Sequence, residues 1–413
     1  MKKVISSEKL PIKLWLDDIE DGALEQAKNL ANLPFVFKHV AIMPDSHQGY
    51  GMPIGGVLAT KDVIIPNAVG VDIGCGMCAV KTSLTEIDTE TIKKIMGEIR
   101  RAVPVGFNHH KEKQDESLMP RQGVGELVTP PSLELGGRRF ESYHPDSIVA
   151  KEYEKALTQI GTLGSGNHFI EIQKGSDGYI WIMIHSGSRN FGLKIADYYN
   201  KLAIGLNEKW NSVVPTKWEL AFLPVDSEQG QAYIKEMQYA VEFALANRKL
   251  MMDRIMGIFG ELNLISQKEA KLSYQLEMIN IAHNYAKLEN HFGEDVWVHR
   301  KGATLATTDT IGIIPGSQGT KSYIVRGKGN PESFNSCSHG AGRKMGRKEA
   351  ERTLNLEDEI KKLDEQGILH AIRGVKDLDE ASGAYKDINA VMENQKDLVE
   401  ILVELQPLAV IKE

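Results

Sequence analysis

Cysteine is scarce: three in 413 residues. An odd number that small does not make a disulfide framework and fits a reducing, cytoplasmic setting. Aromatic residues are only 7% of the chain and the formal net charge is −7. Together these exclude a broadly basic, aromatic-rich nucleic-acid coat, although a local basic groove remains compatible because phosphate binding follows local potential. No apolar run approaches the roughly 20 residues that a membrane-spanning helix needs. The opening MKKVISSEKLPIKLWL is interrupted by Glu8, Lys9 and Pro11, so no signal peptide is expected. Internal repeats, low-complexity segments and Pro/Ser-rich linkers are all missing. So are a second CxxC, which argues against a four-cysteine zinc site, and GxxxxGK[ST], which excludes an ordinary P-loop. At 42% hydrophobic and 25% charged the composition is ordinary for a globular protein. The expectation is α+β: one integrated domain over residues 1–413, with a central β core and flanking helices.

What stands out is PNAVGVDIGCGMCAV, Pro66 to Val80. It sets Asp72 three residues before Cys75 in a run of small residues, bracketed by Val, Ile and Ala. The ligands are thus expected at the end of a buried strand. Burying a carboxylate and a thiol without partners is costly, and a metal ion satisfies both. Cys78 completes CGMC, but a thiolate ligand at Cys75 suits the setting better than a redox pair.

Short β-branched runs between Gly and Pro predict strands and tight turns from Phe35 to Val80. Ile92, Ile95, Met96 and Ile99 follow helical spacing, with Asp88 or Thr89 as cap. Strands are expected at His168–Gln173 and Tyr179–His185. Two amphipathic helices are expected at Ala232–Phe259 and Glu269–His291, the second carrying His283. Gly302 to Gly342 reads as strands and turns, and Arg347 to Glu365 as a charged helix. The polar, Gly- and Pro-rich stretch from Phe107 to Pro145 reads as a surface excursion facing substrate.

Twelve histidines are present. His168, His185, His283 and His339 stand out, three of them in Gly-rich turns or at strand ends. Imidazole is the commonest side-chain metal ligand, so several beside Asp72 and Cys75 suggest a metal set. GTLGSGN, IIPGSQGTKS and HGAGRK are candidate anion nests, in which successive backbone N–H groups converge. Lys321, Arg326, Lys328, Arg343, Lys344, Arg347 and Lys348 face only Glu332 within the same stretch, a candidate basic strip.

Taken together, MPDSHQGYGMPIGG, VGVDIGCGM, GTLGSGNHFIEI, IHSGSRNFG, HRKGAT, IPGSQGTKSYIVRG, SCSHGAGR and AYKDI make the chain resemble the RtcB family of RNA-splicing ligases, collinearly over nearly its whole length. The resemblance implies a distinctive α+β fold with a buried two-metal site, two manganese ions, GTP, and RNA ends as substrates. It implies that Asp72, Cys75 and His168 hold one manganese, and that Cys75, His185 and His283 hold the other. His339 would be the nucleophile that becomes guanylylated. The guanylate would be met by Asn167, His168, Phe169, Ile170 and Glu171, by His283 and Asn284, and by Pro315, Gly316, Ser317, Gln318 and Ser322. His339, Gly340, Ala341, Gly342 and Lys412 complete that set. An archease-like activator is a further partner that the family uses in some members. No role follows for His47 or Cys78.

The implied reaction joins an RNA 3′-phosphate, or a 2′,3′-cyclic phosphate, to a 5′-hydroxyl, with Arg189, Arg300, Arg343 and Lys344 as candidate phosphate holders. Residue chemistry alone would favour zinc, iron or copper at thiolate and imidazole; manganese comes from the resemblance. Two other readings share parts of this pattern. A two-metal phosphoesterase would need the ligands but neither a nucleophilic histidine nor a guanine pocket. A non-catalytic RNA-binding module would need no buried metal set.

Overall fold

A computed structural model describes residues 1–120, 146–273 and 278–413. The chain builds a mixed α+β structure around two sheets. One has six strands in the order β1 (Lys3–Ile5), β2 (Ile12–Leu14), β3 (Val36–His47), β4 (Ile54–Thr60), β12 (Glu294–Lys301), β11 (Asn284–His291). The other has seven: β10 (Ile279–Ala282), β6 (Gly76–Lys81), β8 (Ile180–Ser186), β7 (Phe169–Gly175), β17 (Val399–Ile411), β15 (Ser322–Gly327), β14 (Ile311–Ile314). Every pairing in the second sheet is antiparallel.

Helices cover one face of the seven-stranded sheet. On β6, alternation sends Cys78 and Val80 into a core with α3 (Thr89–Ala102) and α6 (Glu228–Glu261), while Met77 and Ala79 join Met183, Ile313 and Leu405 on the other face. Ile92, Ile95 and Ile99 bury the expected stripe of α3, and Asp88 is its cap, accepting from the Thr91 N–H at 2.9 Å. The long helix begins slightly earlier than the periodicity suggests, where Ser227 caps it. A second helical pair, α4 (Ile148–Gln159) and α5 (Arg189–Lys209), packs against α6 through Ala156, Phe191, Tyr199 and Phe243. Arg347 to Glu365 is helical in two pieces, Arg347–Thr353 and Leu356–Glu365, with Asn355 capping the second.

One expectation fails outright. Glu269–His291 is not one amphipathic helix: Glu269–Ser273 is a single π-helical turn, 274–277 lie outside the described residues, and from Ile279 the chain forms two strands, β10 and β11. The missed signal is Phe292-Gly293, which joins β11 to β12 with both residues at positive φ, +53° and +83°. That is the backbone of a two-residue hairpin turn. His283 is therefore not helical. It is the single residue between β10 and β11, where the chain leaves one sheet for the other. The Pro66 side of the Asp72 motif differs too: Pro66–Val69 is one turn of helix, and the strand follows Cys75 instead of leading to it. Of the stretch expected as a surface excursion, residues 107–120 form an irregular segment with one short turn of 3-10 helix at Glu116–Leu118; 121–145 lie outside the described residues.

Candidate active site

Three adjacent antiparallel strands place the ligand candidates at one end of the seven-stranded sheet. Cys75 directly precedes β6, His168 directly precedes β7, and His185 lies near the end of β8, opposite Met77 and Phe169 in register. His283 follows β10, whose Ala282 pairs with Gly76; its N–H donates to the Cys75 carbonyl at 2.8 Å. Cys75 Sγ lies 3.5 Å from His168 Nε2 and 3.3 Å from His185 Nε2, all three side chains buried. The His185 and His283 rings are 5.2 Å apart. Asp72 Oδ2 is 3.1 Å from His168 Nε2.

These groups fit a cation. His168 Nδ1 is 3.0 Å from the Leu163 carbonyl and His185 Nδ1 is 2.9 Å from the Asn167 carbonyl, which fixes N–H at Nδ1 and aims each Nε2 lone pair inward. His168 then has an acceptor on both ring nitrogens, and a neutral imidazole can donate to only one. A cation between Nε2, the Asp72 carboxylate and the Cys75 sulfur resolves that conflict. Nδ1 of His283 is buried with no hydrogen-bond partner among the described residues. Burial holds His185 and His283 well below the usual imidazole range, in the neutral ligand form. Burial and the neighbouring Asp72 push the Cys75 thiol well up, so a thiolate here requires a positive partner. Burial alone would raise the Asp72 carboxyl, but the His168 hydrogen bond and charge bring it below the usual range.

Beside the cluster, the His339 ring is 4.8 Å from that of His283. Its Nδ1 is 2.6 Å from Oδ2 of Asp45, which also accepts the backbone N–H groups of His339 and Gly340 at 3.1 and 3.3 Å. Asp45 is fully buried, and burial would raise it, yet His339, His47 and Lys386 pull it below the usual carboxylate range. Gly342 permits this approach. It has φ +73°, and a Cβ there would sit 2.0 Å from the Asp45 carbonyl oxygen.

His339 opens into a cavity lined by Asn167, Phe169, Glu171, His185, Pro315–Gln318, Gly340–Gly342 and Lys412, with Arg343, Arg347, Glu380 and Tyr385 on its far wall. Glu380 is 2% exposed and organises that wall: Arg343 lies at 3.0 Å, Arg347 at 3.1 Å and Lys412 Nζ at 4.0 Å, and Tyr385 donates to it. Arg347 also lies 3.8 Å from Asp379, so three basic side chains face two carboxyl groups at this wall. Lys412 is no loose end: Ile411 pairs with Ile170, and Lys412 Nζ donates to the Gly166 carbonyl at 2.8 Å. Burial raises the Glu171 carboxyl to about 8 against the opposing pull of Lys412 and Gln173.

Not every expected residue reaches this cavity. Ile170 faces the α3/α6 core. Ser322 sits behind the Pro315 loop, accepting from the Gly316 N–H at 3.1 Å. Asn284 ties strands together, donating to the Asp72 carbonyl and accepting from the Gly302 N–H. His168 faces a neighbouring groove.

Two of the expected anion nests are spent internally. The Gly316 and Ser317 N–H groups are taken by Ser322 and Thr320, and those of His339 and Gly340 by the Asp45 carboxylate. Arg300 holds no phosphate. It is fully buried in the six-stranded sheet and paired with Glu289 at 2.5 Å. The basic strip is not one surface: Lys321 and Arg326 pair with Glu404 and Glu400, while Arg343 and Arg347 turn into the cavity. Lys344 is exposed and is not among the cavity-lining residues. Asp45 went unread in MPDSHQG, and Tyr385 in AYKDI, although both motifs were visible. Glu380 carried no local signal.

The fold and site define a protein with a buried cysteine–histidine cluster that could hold a metal, beside a carboxylate-held histidine and a cavity lined by basic side chains. The family model described as "RtcB: tRNA-splicing ligase RtcB" matches residues 26–413. The chain is 40% identical to an Escherichia coli K12 protein named RNA-splicing ligase RtcB, covering 99% of each. It is 33% identical to a Thermococcus kodakarensis tRNA-splicing ligase RtcB over 98% of this chain and 95% of that protein. The chain belongs to the RtcB family.

Proposed function

We propose that this protein is a GTP- and manganese-dependent RNA ligase that joins 3′-phosphate or 2′,3′-cyclic phosphate ends to 5′-hydroxyl ends. The observation that carries the reading is the His339–Asp45 contact at the mouth of a cavity lined by basic side chains. With Nδ1 donating to Asp45, Nε2 is the ring nitrogen left to attack phosphorus. A hydrolase would need no such nucleophile. In the first step Nε2 attacks the α-phosphorus of GTP, a P–N bond forms, the P–O bond breaks and pyrophosphate leaves. A 2′,3′-cyclic end first adds water at phosphorus with cleavage of its P–O2′ bond; the guanylyl group then passes to an oxygen of the RNA 3′-phosphate, freeing His339 and activating the RNA 3′-phosphorus. Finally the 5′-hydroxyl oxygen attacks that phosphorus, its proton goes to solvent, and GMP leaves with the electron pair of the broken P–O bond.

Asp72, Cys75 and His168 would hold one manganese and Cys75, His185 and His283 the other, neutralising charge on transferring phosphoryl groups. Arg343 and Arg347 complement the phosphates, and Glu171 with Lys412 faces the base. Lys412 suits guanine O6, an acceptor where adenine carries a donor amino group. All of this sits in one integrated domain.

The test is incubation with α-labelled GTP and manganese, followed by denaturing gels. Wild type should carry an acid-labile, base-stable label, as a phosphorus–nitrogen bond requires, and His339→Ala should carry none while keeping its metal. Given RNA already guanylylated at its 3′ end, that variant should still seal it. Wild-type labelling of His339→Ala would overturn the assignment.

A further inference from the structure

A second depression reaches the metal-type cluster without passing His339. Asp72, His168 and Asn167 form its floor, and Asn167 also lines the His339 cavity, so the two spaces adjoin. Arg189, Ser165 and Gln159 keep the centre polar, with Lys155 and His109 among the lining groups. Around this polar centre stand three exposed apolar side chains: Phe107 at 84% exposure, Val71 at 50% and Leu193 at 45%. Apolar side chains gathered at a polar groove, and not scattered singly, mark a binding surface.

The backbone that displays Phe107 is held in place. The Gly106 N–H donates to the Gly164 carbonyl at 2.8 Å, and the Gly106 carbonyl accepts from Arg189 Nη2 at 3.0 Å. Arg189 also donates to Thr162 Oγ1 at 3.0 Å. It does so from φ +59°, a left-handed conformation that a non-glycine residue keeps only where its surroundings hold it. Gly164 makes the room, since a Cβ there would lie 2.0 Å from Arg189 Nη1. Phe107 is thus an anchored aromatic face beside the reacting centre.

We infer that Phe107 is the stacking platform for the terminal base of the 5′-hydroxyl RNA strand. The inference rests on the ligase reading above. In-line displacement requires the attacking oxygen to approach on the side away from the leaving group. GMP leaves into the cavity at His339, so the 5′ end needs another route to the same phosphorus. The groove floored by Asp72 and His168 supplies it. Lys155, 3.4 Å from Glu152, and Arg189, held by Thr162 and Gly106, are the basic groups that line it, and the aromatic face accepts any base, as end joining demands.

The experiment uses the full chain and an RNA bearing 2-aminopurine at its 5′-hydroxyl terminus. Stacking on Phe107 should quench the fluorophore in wild type and in Phe107→Trp, and Phe107→Ala should lose the quench. In single-turnover sealing of a pre-guanylylated 3′ end, Phe107→Ala should raise the half-saturating concentration of the 5′-hydroxyl strand about 5–100-fold, as loss of one base–aromatic stack predicts. Labelling with GTP should be unchanged. Identical quench and saturation in Phe107→Ala would overturn the inference. So would a defect that follows the 3′-phosphate strand or appears in GTP labelling. The quench needs no chemistry, so it reads Phe107 even if GTP labelling fails and the ligase reading falls.

Discussion

One carboxylate oxygen of Asp45, Oδ2, holds His339 three ways: it takes the ring Nδ1 at 2.6 Å, the His339 N–H at 3.1 Å and the Gly340 N–H at 3.3 Å. The side chain and the backbone on which it turns are fixed by the same atom. The other oxygen, Oδ1, is buried without a hydrogen-bond partner among the described residues, so the carboxylate's charge is directed at the histidine.

It follows that Asp45→Asn should cut guanylylation about 10²–10⁴-fold, through loss of the tautomer and orientation that expose Nε2. Metal content should stay at the wild-type level, because the hydrogen bonds of the Asp45 carboxylate go to His339 and Gly340. Rapid-quench labelling and metal analysis on one preparation decide it. Labelling within threefold of wild type would show that the contact is only structural.

The two cysteines of CGMC separate metal binding from packing. Cys75→Ala should lose metal and all labelling, since it removes a sulfur that lies 3.5 Å from His168 Nε2 and 3.3 Å from His185 Nε2. Cys78 lies on the opposite face of β6, in the core against α6, its thiol pushed up to about 12 by burial. Cys78→Ala should keep metal and activity and cost about 1 kcal/mol of stability through lost packing. Equal metal loss in both variants would undo the distinction.

How far the sequence foretold this site depends on how local each signal is. Cys75, His168 and His185 were legible because each sits in its own motif at a strand boundary, and strand pairing brings boundaries together. His283 was legible as a ligand candidate but not in its setting. Its apolar neighbours satisfy helical and strand spacing alike, and only the Phe292-Gly293 turn decides between them. Asp45 and Glu380 were not legible, because their partners are 294 and 37 residues away. Arg300 misled for the converse reason: HRKGAT looks like a phosphate motif until Glu289 is found opposite it.

Glu171 gives a pH prediction. Its folded carboxyl holds a proton up to about 8, against an ordinary value of 4.5. Between those values the unfolded chain binds fewer protons than the folded one. The contribution of Glu171 therefore falls as pH rises from about 4.5, and levels off above 8. Denaturant titrations at pH 5, 7 and 9 should show wild type losing roughly 2–4 kcal/mol relative to Glu171→Gln across that window. A constant difference between the two proteins would mean that Glu171 is ionised throughout.

Arg300 tests the boundary between scaffold and site. Its guanidinium spans Glu289 at 2.5 and 2.9 Å, Ser336 Oγ at 2.9 Å and the Phe334 carbonyl at 2.9 Å. Glu289 is held down to about 2 against its own burial by that pairing and by His291. Removing one member of a buried pair strands the other, at a cost of about 3–5 kcal/mol. Arg300→Met should therefore lower the melting temperature sharply, while kcat and KM for GTP, measured where the variant is folded, stay near wild type. Adding Glu289→Gln should restore much of the stability, because no unpaired charge then remains. A residue that gripped phosphate would behave the other way. Its loss would raise KM for GTP or RNA, leave the melting temperature unmoved, and gain nothing from the second substitution.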